Sequence, residues 1–448
     1  MDLLSGKIKT LYFKYLAAAF GSALITSIYS IVDMAMVGQY HGPEGTAALA
    51  VVAPIWNIIY SLGLLMGIGG SVIFSTIRGK GDGQIRRSNE YFTASIIGSV
   101  ILAVIVWIVI AFFDRQLLEF FGAEGHTLTL AREYVLPIKF VVPCFLFTQT
   151  LTAYLRNDQN PALATGGVLA GGIFNVFGDY FFVFTCDMGA MGAGLATAIG
   201  TVISIIVMLT HFFRKKNTLR LVRPDKLFRK FREIFVTGFS TFFIDIAMGI
   251  LTILFNRQIM AYLGANALSV YGVIVNISTF VQCCAYSVGQ ASQPIFSTNF
   301  GAGKGGRIRQ TLWYALGTTT FFGIVWTVLC LAIPNQFIRL FMTPTEEVLQ
   351  IAPAIIQTYG LSFLLLPLNI FSTYYFQAVM KPKAAFIVSI SRGLVISGIL
   401  ILLLPVIAGA DSIWFAMPLT ELLVAVYVVC MIVRYTKQLS DERKGSHE

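Results

Sequence analysis

The chain has 448 residues, of which 12% are charged and 56% hydrophobic, and its formal net charge is +10. A water-soluble domain carries about 25% charged residues, so the composition excludes an ordinary soluble globular protein. The six cysteines (Cys144, Cys186, Cys283, Cys284, Cys330, Cys430) show no metal-ligand spacing. They read as small buried apolar residues, without a disulfide framework.

Apolar stretches long enough to cross a bilayer, about 20 residues each, recur along the whole chain. The first, 12–37, is too long for a signal-peptide core and carries Asp33, so no cleavable leader is expected. Five more follow at 46–76, 91–113, 131–155, 162–184 and 190–213. After a basic segment come 233–262, 268–299, 311–333, 350–378, 383–408 and 412–435. In hydrocarbon each must satisfy its own backbone, which makes every one a helix. The expectation is an all-α membrane protein of twelve transmembrane helices.

The turn after the second stretch reads IFSTIRGKGDGQIRRS (73–88), and 222 positions later the chain writes IFSTNFGAGKGGRIRQT (295–311). Likewise LRNDQNPALA (155–164) lines up with FQAVMKPKAA (376–385) at an offset near 221, Pro161 facing Pro382. A period of half the chain implies duplication. Six spans per half is an even number, so the halves are parallel repeats related by an axis along the membrane normal. The expected organisation is a six-helix lobe at 1–213, a basic linker at 214–232, a second lobe at 233–435 and a tail at 436–448. The glycine-rich turn is not GxxxxGK[ST] and follows no strand, so a phosphate cradle is excluded. Its glycines end a helix.

The basic residues set the orientation. With the N-terminus inside, the even-numbered connections and both tails hold 26 of the 32 Lys and Arg. This is the positive-inside pattern, and it predicts that both termini are cytoplasmic, in the plasma (inner) membrane. It also explains the basicity through anionic headgroups, with no nucleic-acid partner. The linker RKKNTLRLVRPDKLFRKFREI (214–234) reads as amphipathic, lying partly on the membrane surface.

Ionisable groups inside spans are costly and usually functional. Asp33 in span 1 and Asp179 in span 5 are the strongest, with Asn175 four residues before Asp179 on one helix face. Both aspartates fall in the outer parts of their spans, and Thr197 lies about 10 Å into span 6 from the same side. Two carboxylates, an amide oxygen and a hydroxyl suit a hard cation such as Na⁺, or a proton shared between the carboxylates. Helix glue through interhelical hydrogen bonds is the alternative. At the offset of 221, Ile396 and Leu400 stand where Asn175 and Asp179 would be, so the six-helix unit can be built without them.

The second half offers Asp245, about 18 Å into span 7, and Glu421 in span 12. Either can attract a cationic substrate or carry a proton. Arg392 is a candidate charge partner for one of them. Arg257 reads as snorkelling, and Lys139 is ambiguous. Most of the 60 aromatic residues read as lipid-facing or packed between helices. Trp56, Tyr60, Tyr271 and Phe280, at span interiors, are candidates to line a cavity for bulky lipophilic cations.

SIYSIVDMAMVG (27–38), FNVFGDYFFVF (174–184), GAMGAGLATAIG (189–200) and the paired IFSTxxGxGxG turns resemble the MATE (multidrug and toxic compound extrusion) exporters, in particular the bacterial DinF/MepA-like branch. The resemblance runs the whole chain in order. It implies a cation-coupled antiporter in which H⁺ or Na⁺ enters and an amphiphilic organic cation leaves by alternating access. The family's coupling-ion cluster falls on Asp33, Asn175, Asp179 and Thr197, and an acidic residue in span 7 on Asp245. Two departures are visible: span 1 has no early proline, with Ala18 near that place, and span 7 opens Gly238-Phe239-Ser240 rather than Gly-x-Pro.

The expected protein is a monomer without resident cofactor, whose partners are small lipophilic organic cations and membrane lipid. A lipid-linked precursor flippase is the first alternative, and it would need a strongly cationic cavity. An uncoupled channel or scaffold is the second. An enzyme is not expected, since the sequence carries no metal cluster, nucleophile triad or P-loop.

Overall fold

The computed structural model describes residues 2–342 and 344–441. Sixteen helical segments run in order: α1 (Ile8–His41), α2 (Pro43–Gly79), α3 (Ile85–Phe120), α4 (Gly125–Ile138), α5 (Val142–Asn157), α6 (Pro161–Tyr180), α7 (Gly189–Leu209), α8 (Leu227–Tyr262), α9 (Ala265–Gly301), α10 (Gly305–Ala332), α11 (Pro334–Phe341), α12 (Glu346–Gly360), α13 (Leu366–Ala378), α14 (Pro382–Ile390), α15 (Ile396–Ala408) and α16 (Ala416–Asp441). Among the described residues, eleven helical stretches are long and apolar enough to span a membrane. The twelfth crossing is the pair α4 and α5, bent by 62°. Pro137 near the end of α4 and Pro143 at the start of α5 flank that break, and proline withholds an N–H and crowds the preceding turn. The twelve expected crossings are thus accounted for, one of them broken.

The chain divides into two compact units. The first is Ala17–Phe242 with the few residues before Gly6. The second is Gly6–Leu16 with the chain from Phe243 onward. The division falls inside α8, whose first half packs in the first unit: Gly238 there has no room for a β-carbon against the Leu65 carbonyl. The basic segment differs from a simple surface-lying linker. Residues 227–232 already belong to α8. Upstream, Arg220 N–H donates to Asn89 Oδ1 (3.2 Å) and Val222 N–H to Thr93 Oγ1 (2.9 Å), with Leu219 buried. Residues 217–222 therefore form a strap laid on the first unit. Of the expected tail, 436–441 continue α16, and 442–448 lie outside the described residues.

Both glycine-rich turns close a helix and start the next. Gly81 (φ 118°) and Gly303 (φ 66°) supply the left-handed backbone that ends α2 and α9. Their arginines fasten the turn: Arg78 donates to Ser88 Oγ (2.7 Å), and Arg307 to Asn299 Oδ1 (2.9 Å).

Within the first unit, α6 and α7 run antiparallel along a seam of small residues. A β-carbon on Gly171 would collide with the Gly200 carbonyl, and one on Gly200 would lie 2.6 Å from the Gly171 carbonyl oxygen. Small residues that let backbones approach are how membrane helices associate. Asn160 caps α6, accepting the Leu163 N–H at 3.3 Å, with Pro161 at the first helical position.

Candidate functional site: a buried carboxylate pair in the first unit

The seam positions the site. One helical turn beyond Gly171·Gly200, Asn175 on α6 faces Thr197 on α7. Asn175 Nδ2 donates to Thr197 Oγ1 at 2.9 Å and to Asp33 Oδ1 of α1 at 3.0 Å. The Thr197 hydroxyl donates to Asp33 Oδ2 at 2.9 Å. The C-terminal end of α1 is hung on the start of α7, where His41 Nε2 accepts the Ala190 N–H at 3.1 Å. Asp33, Asn175, Asp179 and Thr197 are all buried, with Asp179 fully enclosed at 0% exposure. The four residues singled out from sequence therefore meet in one place.

A fifth member was not anticipated. Tyr134 of α4 donates its hydroxyl to Asp33 Oδ2 at 2.8 Å. It is carried there by close backbone packing, since a β-carbon on Gly194 of α7 would collide with the Tyr134 carbonyl. The sequence holds 18 tyrosines, and nothing in its local pattern marks this one. Asp33 thus receives three neutral hydrogen bonds.

Asp179 receives none from a neutral side chain. Its carboxyl lies against that of Asp33, with which it can share a hydrogen, and no other hydrogen-bond partner reaches its oxygens among the described residues. Asn175 Oδ1 is likewise unpartnered. No Lys, Arg or His lies within ion-pair distance of either aspartate among the described residues. Two adjacent buried carboxylates with orphaned oxygens and no cationic side chain demand a proton or a cation, because a buried charge is tolerated only when paired. An all-oxygen set of this kind fits a hard cation. Directly after Asp179 the helix widens into a π turn (Phe181–Thr185), a local distortion that often accompanies functional positions.

The other candidates lie elsewhere. In the second unit Tyr286 donates to Asp245 Oδ1 at 2.9 Å, and Asp245 is half-buried. Glu421 is tied down on both sides: Arg392 Nε donates to its Oε1 at 2.6 Å and Asn369 Nδ2 to its Oε2 at 2.6 Å. Both its oxygens are engaged, one by α13 and one by the π turn (Ser391–Val395) that leads into α15. Arg392, expected to partner one of the two acids, pairs with Glu421. Lys139 sits at the break between α4 and α5 and pairs with Asp114 at 2.9 Å, which also binds Arg132 at 2.9 Å. Arg257 is exposed.

The aromatic candidates are mostly packing. Trp56 rests on Phe145 at 4.3 Å between ring centroids, against the first unit's core. Tyr60 is half-buried on α2. Tyr271 is buried among Phe255, Tyr359 and Trp414 at 5.0, 6.2 and 6.4 Å, and Phe280 stacks on Trp326 at 6.3 Å.

Comparison with known proteins agrees with this architecture. The MatE family model matches residues 18–181 and again 234–403, once in each half of the chain. The chain is 26% identical over 396 residues to the multidrug export protein MepA of Staphylococcus saprophyticus, covering 88% of this chain and 86% of that protein. It is 25% identical over 395 residues to MepA of Staphylococcus aureus strain MSSA476, covering 87% and 86%. An outward-facing multidrug resistance MATE family transporter of the MOP superfamily superposes with a TM-score of 0.88 at 18% identity, over 98% of each chain. A MOP superfamily transporter from Pyrococcus furiosus, described as having a binding pocket of reversed polarity, gives 0.89 at 19% identity over the same shares. These two show a common fold. With its apolar crossings, this is a multi-pass protein of the plasma membrane, and the chain belongs to the MatE family.

Proposed function

We propose that this protein is a cation-coupled exporter of amphiphilic, cationic organic compounds, driven by inward flow of H⁺ or Na⁺. The observation that carries the reading is the Asp33–Asp179 pair, with its orphaned Asp179 oxygens and no basic side chain to neutralise it. Asp33 and Asp179 bind the driving cation, Asn175 and Thr197 are its neutral partners, and Tyr134 orients Asp33. In one conformation the pair is exposed to the outer side and loads the ion. Its neutralisation removes the cost of two adjacent buried charges, so the occupied and empty lobes favour different arrangements. The names of the relatives, multidrug export proteins, support the substrate class. The basic strap and glycine-rich turns support placing both termini in the cytoplasm.

A flippase for anionic lipid precursors is less well supported. Arg392 and Lys139 are committed to Glu421 and Asp114, and Arg257 is exposed, so no cationic cavity forms around them.

The test is transport in proteoliposomes. Dye efflux is measured under an imposed Na⁺ gradient and, separately, an imposed H⁺ gradient. One gradient is expected to drive wild-type efflux and neither to drive Asp179→Asn. Wild-type rates in that variant under both gradients would remove the proposed role.

A further inference from the structure

The α6–α7 seam is pinned at both ends. At one end Asn175 meets Thr197. At the other, fifteen residues earlier on α6, Asn160 meets His211, which lies in the short helical turn that finishes α7. His211 is 1% exposed. Its Nε2 is 2.6 Å from Asp158 Oδ2, and its Nδ1 is 3.1 Å from Asn160 Nδ2.

The cap settles which hydrogen is where. Asn160 Oδ1 accepts the Leu163 N–H, so the amide group turned toward His211 is NH₂, a donor. Nδ1 must therefore accept, and the single ring hydrogen sits on Nε2 and is donated to Asp158. With the amide in this orientation the ring is the neutral tautomer that carries its hydrogen on Nε2. A second proton, on Nδ1, would set donor against donor. The relief is rotation of the Asn160 amide, which withdraws Oδ1 from Leu163 N–H and uncaps α6.

The same joint holds the strap. Asp158 accepts the Thr218 N–H at 3.1 Å and the Thr218 hydroxyl, while Thr218 O accepts from Arg78 Nη2 (2.9 Å) and Asn89 Nδ2 (3.1 Å). Other charged groups stand on the surrounding elements: Arg156 on α5, Arg78 on α2, Glu90 on α3, and exposed Arg214, Lys215 and Lys216 after His211. Among the described residues, Asp158 is the charged side chain that bonds the ring. At the offset of 221 the second half has Val379, Lys381 and Ile432 in place of Asp158, Asn160 and His211. The joint is therefore not a requirement of the six-helix unit.

We infer that His211 is a positioning residue for the ion site, acting through Asn160: the neutral ring holds the cap of α6 and the strap, and protonation releases both. The α6–α7 contact is backbone against backbone at Gly171 and Gly200, so α6 cannot slide on α7 while both ends are pinned. Acidification at the strap face frees one end and lets α6, which carries Asn175 and Asp179, shift. The inference rests on the ion-site reading for its link to transport, but not for the joint itself.

The test has two readouts. In detergent, amide exchange at Leu163, corrected for the intrinsic effect of pH, is measured between pH 7.5 and 5.5. Wild-type protection should fall about fivefold, the factor expected for loss of one N-cap. His211→Gln, whose amide can accept from Asn160 and donate to Asp158 without titrating, should keep its protection. Asn160→Asp keeps the cap and welcomes a proton on Nδ1, so acidification should leave its protection intact or increase it. In vesicles exposing the strap face, the wild type should show an acid limb of transport that His211→Gln lacks. Equal loss of protection in wild type and His211→Gln, or no loss in the wild type, overturns the inference. An acid limb shared by both proteins despite the expected exchange pattern overturns the link to the site. The exchange readout needs no transport, so it stands whatever Asp179→Asn shows.

Discussion

Arg392 donates to Glu421 across 2.6 Å, buried in the second unit, and these two residues stand 221 positions after Gly171 and Gly200. The same crossing of two helices is thus made by bare backbone in one unit and by an ion pair in the other. In the first unit the helices close until a carbonyl fills the space a β-carbon would need. In the second, two long side chains fill the gap and Asn369 completes the Glu421 carboxylate. The duplicated unit has two solutions to one packing problem, and the tight one lies beside the carboxylate pair.

The ion pair should therefore be a stability element. Glu421→Gln leaves a buried guanidinium without its counter-charge and is expected to cost about 3–5 kcal/mol. Replacing both residues with methionine removes both charges while roughly keeping the volume, and is expected to be close to neutral. Unfolding in detergent micelles, followed for Glu421→Gln and the double variant, measures this. Glu421→Gln as stable as the wild type would mean that Arg392 does not need its counter-charge.

Gly171→Ala tests the other solution. Its β-carbon has no place to go, because Gly200 O and Ser204 Oγ already occupy the space. Overpacking of this sort costs about 1–3 kcal/mol, and the separation it forces would open Asn175 from Thr197. The melting temperature and the transport rate should fall together. Gly166, with open space around its α-carbon, provides the control: alanine there should change neither.

These contrasts also mark what could be read in advance. Asp33, Asn175, Asp179 and Thr197 stand out in sequence because each is a polar group in an apolar span, and helical rise alone puts them at one depth. The twelve crossings follow from the same hydropathy argument. Tyr134 could not be picked out, since an aromatic residue near a span's outer end is ordinary and only the Gly194 contact brings it to Asp33. The break at 139–141 has no clear mark in the sequence, because proline is tolerated within membrane helices. Glu421 and Arg392 are both legible as buried charges, whereas Asn369, which holds the second Glu421 oxygen, has no mark in the sequence. The strap at 217–222 carries charges that resemble a membrane-surface segment, and its backbone bonds to Asn89 and Thr93 are tertiary.

Tyr134→Phe removes one of three donors to Asp33 while keeping the ring. A hydrogen bond to a charged group is worth about 1.5–3 kcal/mol. The cation concentration for half-maximal transport should therefore rise roughly ten- to hundredfold by that same range, with little change in the rate at saturation. A loss of maximal rate with unchanged cation dependence would place Tyr134 in the conformational step instead.

The choice between sodium and proton can be made without transport. A ligand that binds only the folded state raises stability with its concentration, by about 2.7 kcal/mol at a hundred times its dissociation constant. If the Asp33–Asp179 pair takes Na⁺, exchanging choline for sodium at constant ionic strength should raise the melting temperature of the wild type. The increment should vanish in Asp179→Asn, whose amide cannot supply the second carboxylate. If the pair takes a proton, sodium and choline should give the same melting temperature at every pH, and only an imposed pH gradient should drive efflux. A sodium increment that persists in Asp179→Asn would locate the sodium somewhere other than this pair, and the carboxylates would then have to be assigned to protons or to packing.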